Sequence, residues 1–208
     1  MFVIGITGGI GCGKSTAARI IGSWGITVLD ADRISHEVTE PGGPAIARVM
    51  EAFGPEILDA EGGLNRSAMG QIVFADRKAL DQLSMIVHEE VMERMGELRL
   101  EAEEAGEKAV VLDVPIPVQD GFRDTCDYIV TIWCDDALRF ERLEARGMAR
   151  EEAQRRMNMQ LTEEEYSGLA TVTVQNNGTL DELEEALRQT VGEALTIRGI
   201  RIPERQEN

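Results

Sequence analysis

Lysine, cysteine, histidine and aromatic side chains are all scarce in this chain of 208 residues. Lysine occurs only at Lys14, Lys78 and Lys108, against 38 acidic residues, and the formal net charge is -17. A nucleic-acid backbone is held mainly by clustered Lys and Arg, so this balance argues against a nucleic-acid partner and for a small soluble substrate. The three cysteines, Cys12, Cys126 and Cys134, have no CxxC spacing and no even-numbered framework. Neither a zinc site nor disulfides are supported, which suits a reducing cytoplasm. His36 and His88 stand far apart without a neighbouring ligand pattern, so they do not read as a metal site. No window approaches the roughly 18 apolar residues of a membrane span. The opening MFVIGITGGIG has no basic stretch before its short apolar run and reads as a strand, not a signal peptide. The expectation is a cytoplasmic protein that touches neither membrane nor nucleic acid and is a monomer, with one sizeable core.

What is present is a regular alternation. Short apolar runs at FVIGI (2 to 6), ITVLD (26 to 30), AVVLDV (109 to 114), YIVTIWC (128 to 134) and ATVTV (170 to 174) are separated by stretches of helical periodicity. Strands that are nearly all apolar belong to a parallel sheet covered on both faces, so the fold class is α/β. A crossover needs only a dozen or so residues, yet almost eighty separate the second and third runs. The excess reads as a helical insertion. Its longest helix runs roughly from Asp76, a candidate N-cap, to Ala105, with Leu80, Leu83, Ile86, Val87, Val91, Met95 and Leu98 on a core-facing stripe. The acidic run Glu101 to Glu107 reads as a solvated helix end.

Gly8-Gly9-Ile10-Gly11-Cys12-Gly13-Lys14-Ser15 fits G-x-x-x-x-G-K-[ST] between an apolar strand and an amphipathic helix, the context that a P-loop requires. Glycines let backbone N–H groups of Gly11, Cys12 and Gly13 turn toward phosphate oxygens, and the helix N-terminus adds partial positive charge. In this motif Lys14 reaches the β- and γ-phosphates of ATP and Ser15 ligates Mg2+, while Thr16 caps the helix or contacts the α-phosphate. Cys12 has two readings, a redox switch or a small side chain filling the loop, and the second is the simpler.

Ligands of open α/β sheets lie beyond the carboxyl ends of the strands. Asp30 and Asp32 follow the second run, and Asp32 is the candidate for accepting or orienting the acceptor's hydroxyl proton. For Asp30 a helix N-cap is an equal reading. Asp113 ends the third run in the form of a Walker-B carboxylate that would hold magnesium, with a structural strand-end aspartate as the alternative. Six arginines and no lysine fall between positions 139 and 156. Arg139, Arg142 and Arg146 share a helix face where guanidinium forks suit phosphate oxygens, so the segment reads as a lid. Interspersed glutamates keep a solvated, ion-paired helix open, and Arg142 is the arginine named for the phosphates.

The motifs TGGIGCGKST, LDADRISHEVTEPGGPA, LNRSAMGQIVF, VVLDVP, RFERLEAR and QNNGT, in this order along nearly the whole chain, resemble dephospho-CoA kinases. The resemblance implies a P-loop kinase with a five-stranded parallel sheet flanked by helices, a core of 1–30, 106–138 and 166–208, a helical acceptor-binding insertion at 31–105 and an arginine-bearing lid at 139–165. It implies transfer from ATP to the ribose 3′-hydroxyl of dephospho-CoA, the last step of coenzyme A biosynthesis. It places Asp32 on the acceptor hydroxyl, Arg142 in the lid, Thr7 at the reaction centre and Asn176, Asn177 and Gly178 near the adenine. The chain departs from the family at His88-Glu89, where histidine-proline is usual, and in Pro115 to Gln119, Arg146-Gly147 and around Thr171. A shikimate-type kinase would share the D-x-D, but its glycine-rich acceptor motif is not visible. A GTPase-like switch would need N-K-x-D and D-x-x-G, and neither is in place. A catalytically silent homologue is the remaining alternative.

Overall fold

The computed structural model describes residues 1–114 and 122–204; the Ile116 to Gln119 part of the acceptor segment lies outside the described residues. In chain order the elements are β1 (Phe2–Thr7), α1 (Lys14–Ser23), β2 (Thr27–Asp30), α2 (Ala31–Glu37), α3 (Ala45–Phe53), α4 (Arg66–Ala75), α5 (Arg77–Glu104), β3 (Ala109–Asp113), α6 (Phe122–Thr125), β4 (Tyr128–Trp133), α7 (Asp136–Ala145), α8 (Arg150–Asn158), α9 (Glu163–Leu169), β5 (Val172–Gln175), α10 (Leu180–Leu187) and α11 (Glu193–Ile197). The five apolar runs of the sequence are the five strands. They form one sheet in the order β2-β3-β1-β4-β5, and β1 runs parallel to both β3 and β4.

β1, β3 and β4 are buried almost throughout, as strands covered on both faces must be. β2 and β5 are only partly buried because they are the sheet edges, a distinction that their apolar composition does not carry. The core cluster joins Ile4 and Ile6 of β1, Ala17 and Ile21 of α1, Ile132 of β4 and Leu183 and Leu187 of α10. Threonines start two of the covering helices. Thr162 and Thr179 each accept from the backbone N–H three residues on, while Glu165 and Glu182 reach back, forming capping boxes.

The chain divides into two compact units, Met1–Leu29 with Ala102–Asn208, and Asp30–Glu101. The arginine segment falls in the first, with the sheet. The second is helical and locally capped: Asn65 Oδ1 accepts from Ala68 N–H at 3.0 Å, and Asp76 Oδ1 from Lys78 N–H at 2.8 Å. On α5, Ile86, Val91 and Met95 are buried, but Leu80 is 44% exposed and Ala79 is buried instead. The expected stripe is therefore out of phase by one residue, about 100° of helix rotation, at its first turn. Glu89 lies within α5 and, with Glu90, pairs with Arg48 at 2.5 and 3.0 Å. The helix runs unbroken past His88, which is exposed.

Candidate active site

β1 lies at the centre of the sheet, so the loop that follows it opens at the point where the strand order reverses, the usual ligand crevice of such sheets. Gly13 is the N-cap of α1 and has φ 94°, a left-handed value that favours glycine. A Cβ there would collide with the Asn176 amide. The first turn of α1 has no side-chain cap and no acidic residue, so its partial positive charge remains available to an anion, although Thr16 N–H already donates to the Gly13 carbonyl at 3.0 Å.

Register places the chemical groups at one end. Ile6 pairs with Asp113 and Thr7 with Thr131. Lys14 Nζ donates to Asp113 Oδ1 in an ion pair whose side chains are 12% and 3% exposed. Thr7 is fully buried, and its hydroxyl has no hydrogen-bond partner among the described residues. Ser15 is exposed on α1 and Thr16 is half-buried.

The loop backbone is gripped by side chains from the distant C-terminal half. Ile10 N–H donates to Gln160 Oε1 at 2.7 Å, and the Ile10 carbonyl accepts from Arg139 Nε at 3.0 Å. The Cys12 carbonyl accepts from Asn176 Nδ2 at 2.8 Å. Arg142 donates to the Asn176 carbonyl at 3.0 Å and lies 3.5 Å from the carbonyls of Gly11 and Cys12. Asn177 exchanges two hydrogen bonds with Asp135, at 2.9 and 3.0 Å, fixing the turn after β5 against the start of α7. Cys12 and Cys134 are both buried. The hydrogen bond with Cys134, then burial, pushes the Cys12 thiol well above its ordinary range, so it stays protonated and behaves as a packing group. The same hydrogen bond, opposed by burial and aided by Arg142 and Arg139, lowers Cys134.

The arginine cluster separates into three environments. Arg139 is 3% exposed, Arg142 is half-buried and Arg146 is exposed just beyond α7. Farther along, Arg150 and Arg156 pair with Glu144 and Glu152 at 3.1 and 2.6 Å, the solvated ion-paired arrangement. Asp30 is a helix cap: its carboxylate accepts from the N–H groups of Asp32 and Arg33 at 2.9 and 3.2 Å. Asp32 is exposed in the first turn of α2. Gln160 carried no motif signal; its separation of 150 positions from Ile10 hides the contact from any local reading.

A family model described as dephospho-CoA kinase matches residues 2–182. A dephospho-CoA kinase of Thermobifida fusca (strain YX) is 41% identical over 185 residues, covering 88% of this chain and 92% of its own. A solved structure from Thermus thermophilus is 34% identical and superposes with a TM-score of 0.72, covering 92% of this chain and 97% of that one. The dephospho-CoA kinase from Campylobacter jejuni, at 21% identity, supports the fold alone: its TM-score is 0.71 over 94% of this chain and 98% of its own. With a phosphate loop of this geometry and a match along nearly its whole length, the chain belongs to the dephospho-CoA kinase family.

Proposed function

We propose that this protein transfers the γ-phosphoryl group of ATP to the ribose 3′-hydroxyl of dephospho-CoA, giving coenzyme A and ADP. The observation that carries this reading is the family match over residues 2–182. The phosphate loop supports the reaction type: a helix N-terminus without a side-chain cap opens beside the Lys14–Asp113 pair.

Phosphoryl transfer is mostly positioning and charge stabilisation. Lys14 balances charge on the β- and γ-phosphates, and the amides of Gly11, Cys12 and Gly13 with Ser15 and Thr16 hold the rest of the triphosphate. Arg142 offers a guanidinium to the charge that builds on transfer, and Asn177 belongs to the adenine end. Asp32 takes or orients the proton of the acceptor hydroxyl, and Thr7 lines the reaction centre from the end of β1. A hydroxyl on α1 and a strand-end carboxylate are the hard oxygen donors that magnesium takes, so Ser15 and Asp113 fit as its protein ligands. Bound there, magnesium would neutralise charge between the phosphates. Residues 31–105 serve as the acceptor-binding insertion and 139–165 as the lid. No helix of the described residues is long and apolar enough to cross a membrane. A cytoplasmic monomer is part of the same proposal.

The deciding experiment incubates purified protein with ATP, dephospho-CoA and magnesium and follows coenzyme A by mass, with a chelator control. Stoichiometric product that disappears with chelator is expected. ATP binding without product would refute the acceptor, and product in excess chelator would refute the magnesium assignment.

A further inference from the structure

A phosphate loop works only if its N–H groups face inward, and each peptide turned that way points its carbonyl outward, where it needs a donor. Of the two peptides flanking Ile10, the one that follows it meets this need with a side chain, Arg139 Nε donating to its carbonyl. The one that precedes it has its N–H bound by Gln160 and its Gly9 carbonyl accepting from Cys12 N–H at 3.1 Å.

Arg139 is held rigidly for this task. Its guanidinium lies 4.6 Å from the centroid of the Trp133 ring, and Nη1 donates to Asp136 at 3.1 Å. Nη2 is buried without a hydrogen-bond partner among the described residues, close enough to Gly9 that a Cβ there would meet it at 2.7 Å. The guanidinium is thus held by Ile10, Asp136 and Trp133, unlike the exposed arginines farther along the segment.

We propose that Arg139 and Gln160 are positioning residues that set the peptides flanking Ile10 and so hold the loop in its phosphate-binding form; Arg139 acts through its hydrogen bond and not as a cation for the nucleotide. This rests on the kinase reading above.

The distinguishing comparison uses two substitutions of similar reach. In Arg139→Gln, Nε2 stands at the same distance along the side chain as the native Nε, keeping a donor while removing the charge. In Arg139→Met, the corresponding atom is a methyl carbon. Both lose the Trp133 stack, so any stability cost of that loss is common to both and cancels in the comparison. ATP affinity is measured by calorimetry, beside KM for each substrate and the melting temperature. Arg139→Met is expected to weaken ATP binding about tenfold or more, the scale of a charge-assisted hydrogen bond, with KM for dephospho-CoA unchanged. Arg139→Gln is expected to recover most of that loss. Gln160→Met is expected to weaken ATP binding a few-fold, as loss of a neutral bond does.

Equal loss in Arg139→Gln and Arg139→Met would overturn the proposal and make Arg139 a phosphate cation through Nη2. Wild-type ATP affinity in a folded Gln160→Met would also overturn it, and that variant carries the test if the Arg139 variants fail to fold. A wild type that binds ATP but makes no coenzyme A would count against the acceptor reading only, since the bracket is read from ATP affinity.

Discussion

The phosphate loop and the 30–101 unit are stabilised by opposite strategies. Around the loop, side-chain bonds to the backbone of residues 10–12 come from 123 to 164 positions away. In the helical unit the side-chain bonds to backbone are local: Asp30 to Asp32, Asp59 to Gly63 and Asn65 to Ala68. Of its ion pairs between Arg48 and α5, the one to Glu89 is half-exposed, a kind that contributes little. The difference teaches that a loop which offers amides to a ligand keeps few of them for its own structure, Cys12 N–H to the Gly9 carbonyl being one, so much of its fixation is delegated to distant side chains. The helical unit has no such demand and caps α2, α4 and α5 from the adjacent sequence.

The largest effect should come from the loop itself. Lys14→Ala is expected to lower turnover at least about a thousandfold, read by steady-state coenzyme A formation, since it removes a fixed charge from the transferred phosphates. Near-normal phosphorylation by that variant would sink the P-loop assignment. Asp32→Asn asks whether the helical unit carries chemistry as well as structure. It should lower kcat by about a hundredfold or more while calorimetric ATP affinity stays at the wild-type value, and a parallel loss of both would make Asp32 structural. Arg142→Ala should lower kcat about a hundredfold and weaken ATP binding modestly, because the same guanidinium also braces the Asn176 carbonyl. A neutral result would leave that arginine with bracing alone. The smallest effect sharpens the local side of the contrast: Asn65→Ala should cost about 1 kcal/mol in urea unfolding with kinetics unchanged, and a loss of ATP affinity would show that the two regions are coupled.

Much of this was legible in the primary structure because it is encoded locally. Five apolar runs mark five strands, the glycine-lysine-serine string marks the loop, and Asp30 and Asp76 are recognisable caps. Other features were blurred for identifiable reasons. ITVLD and ATVTV look as buried as FVIGI, yet β2 and β5 are edges, because strand order depends on crossovers and not on composition. Leu80 and Ala79 exchange roles because one residue of helical phase is enough to carry a side chain from core to solvent.

The arginines show where such reading stops. Spacing alone groups Arg139, Arg142 and Arg146 as equals, and only the folded sheet sends one under Trp133, one to the Asn176 turn and one to solvent. By itself the sequence determined the fold class, the phosphate loop and the family, since these rest on periodicity and on short strings whose chemistry is contained within them. The tertiary structure alone decided which charges meet, from the Lys14–Asp113 pair to the grip of Gln160 and Arg139 on Ile10, because those partners become neighbours only when the chain closes β3, β1 and β4 side by side.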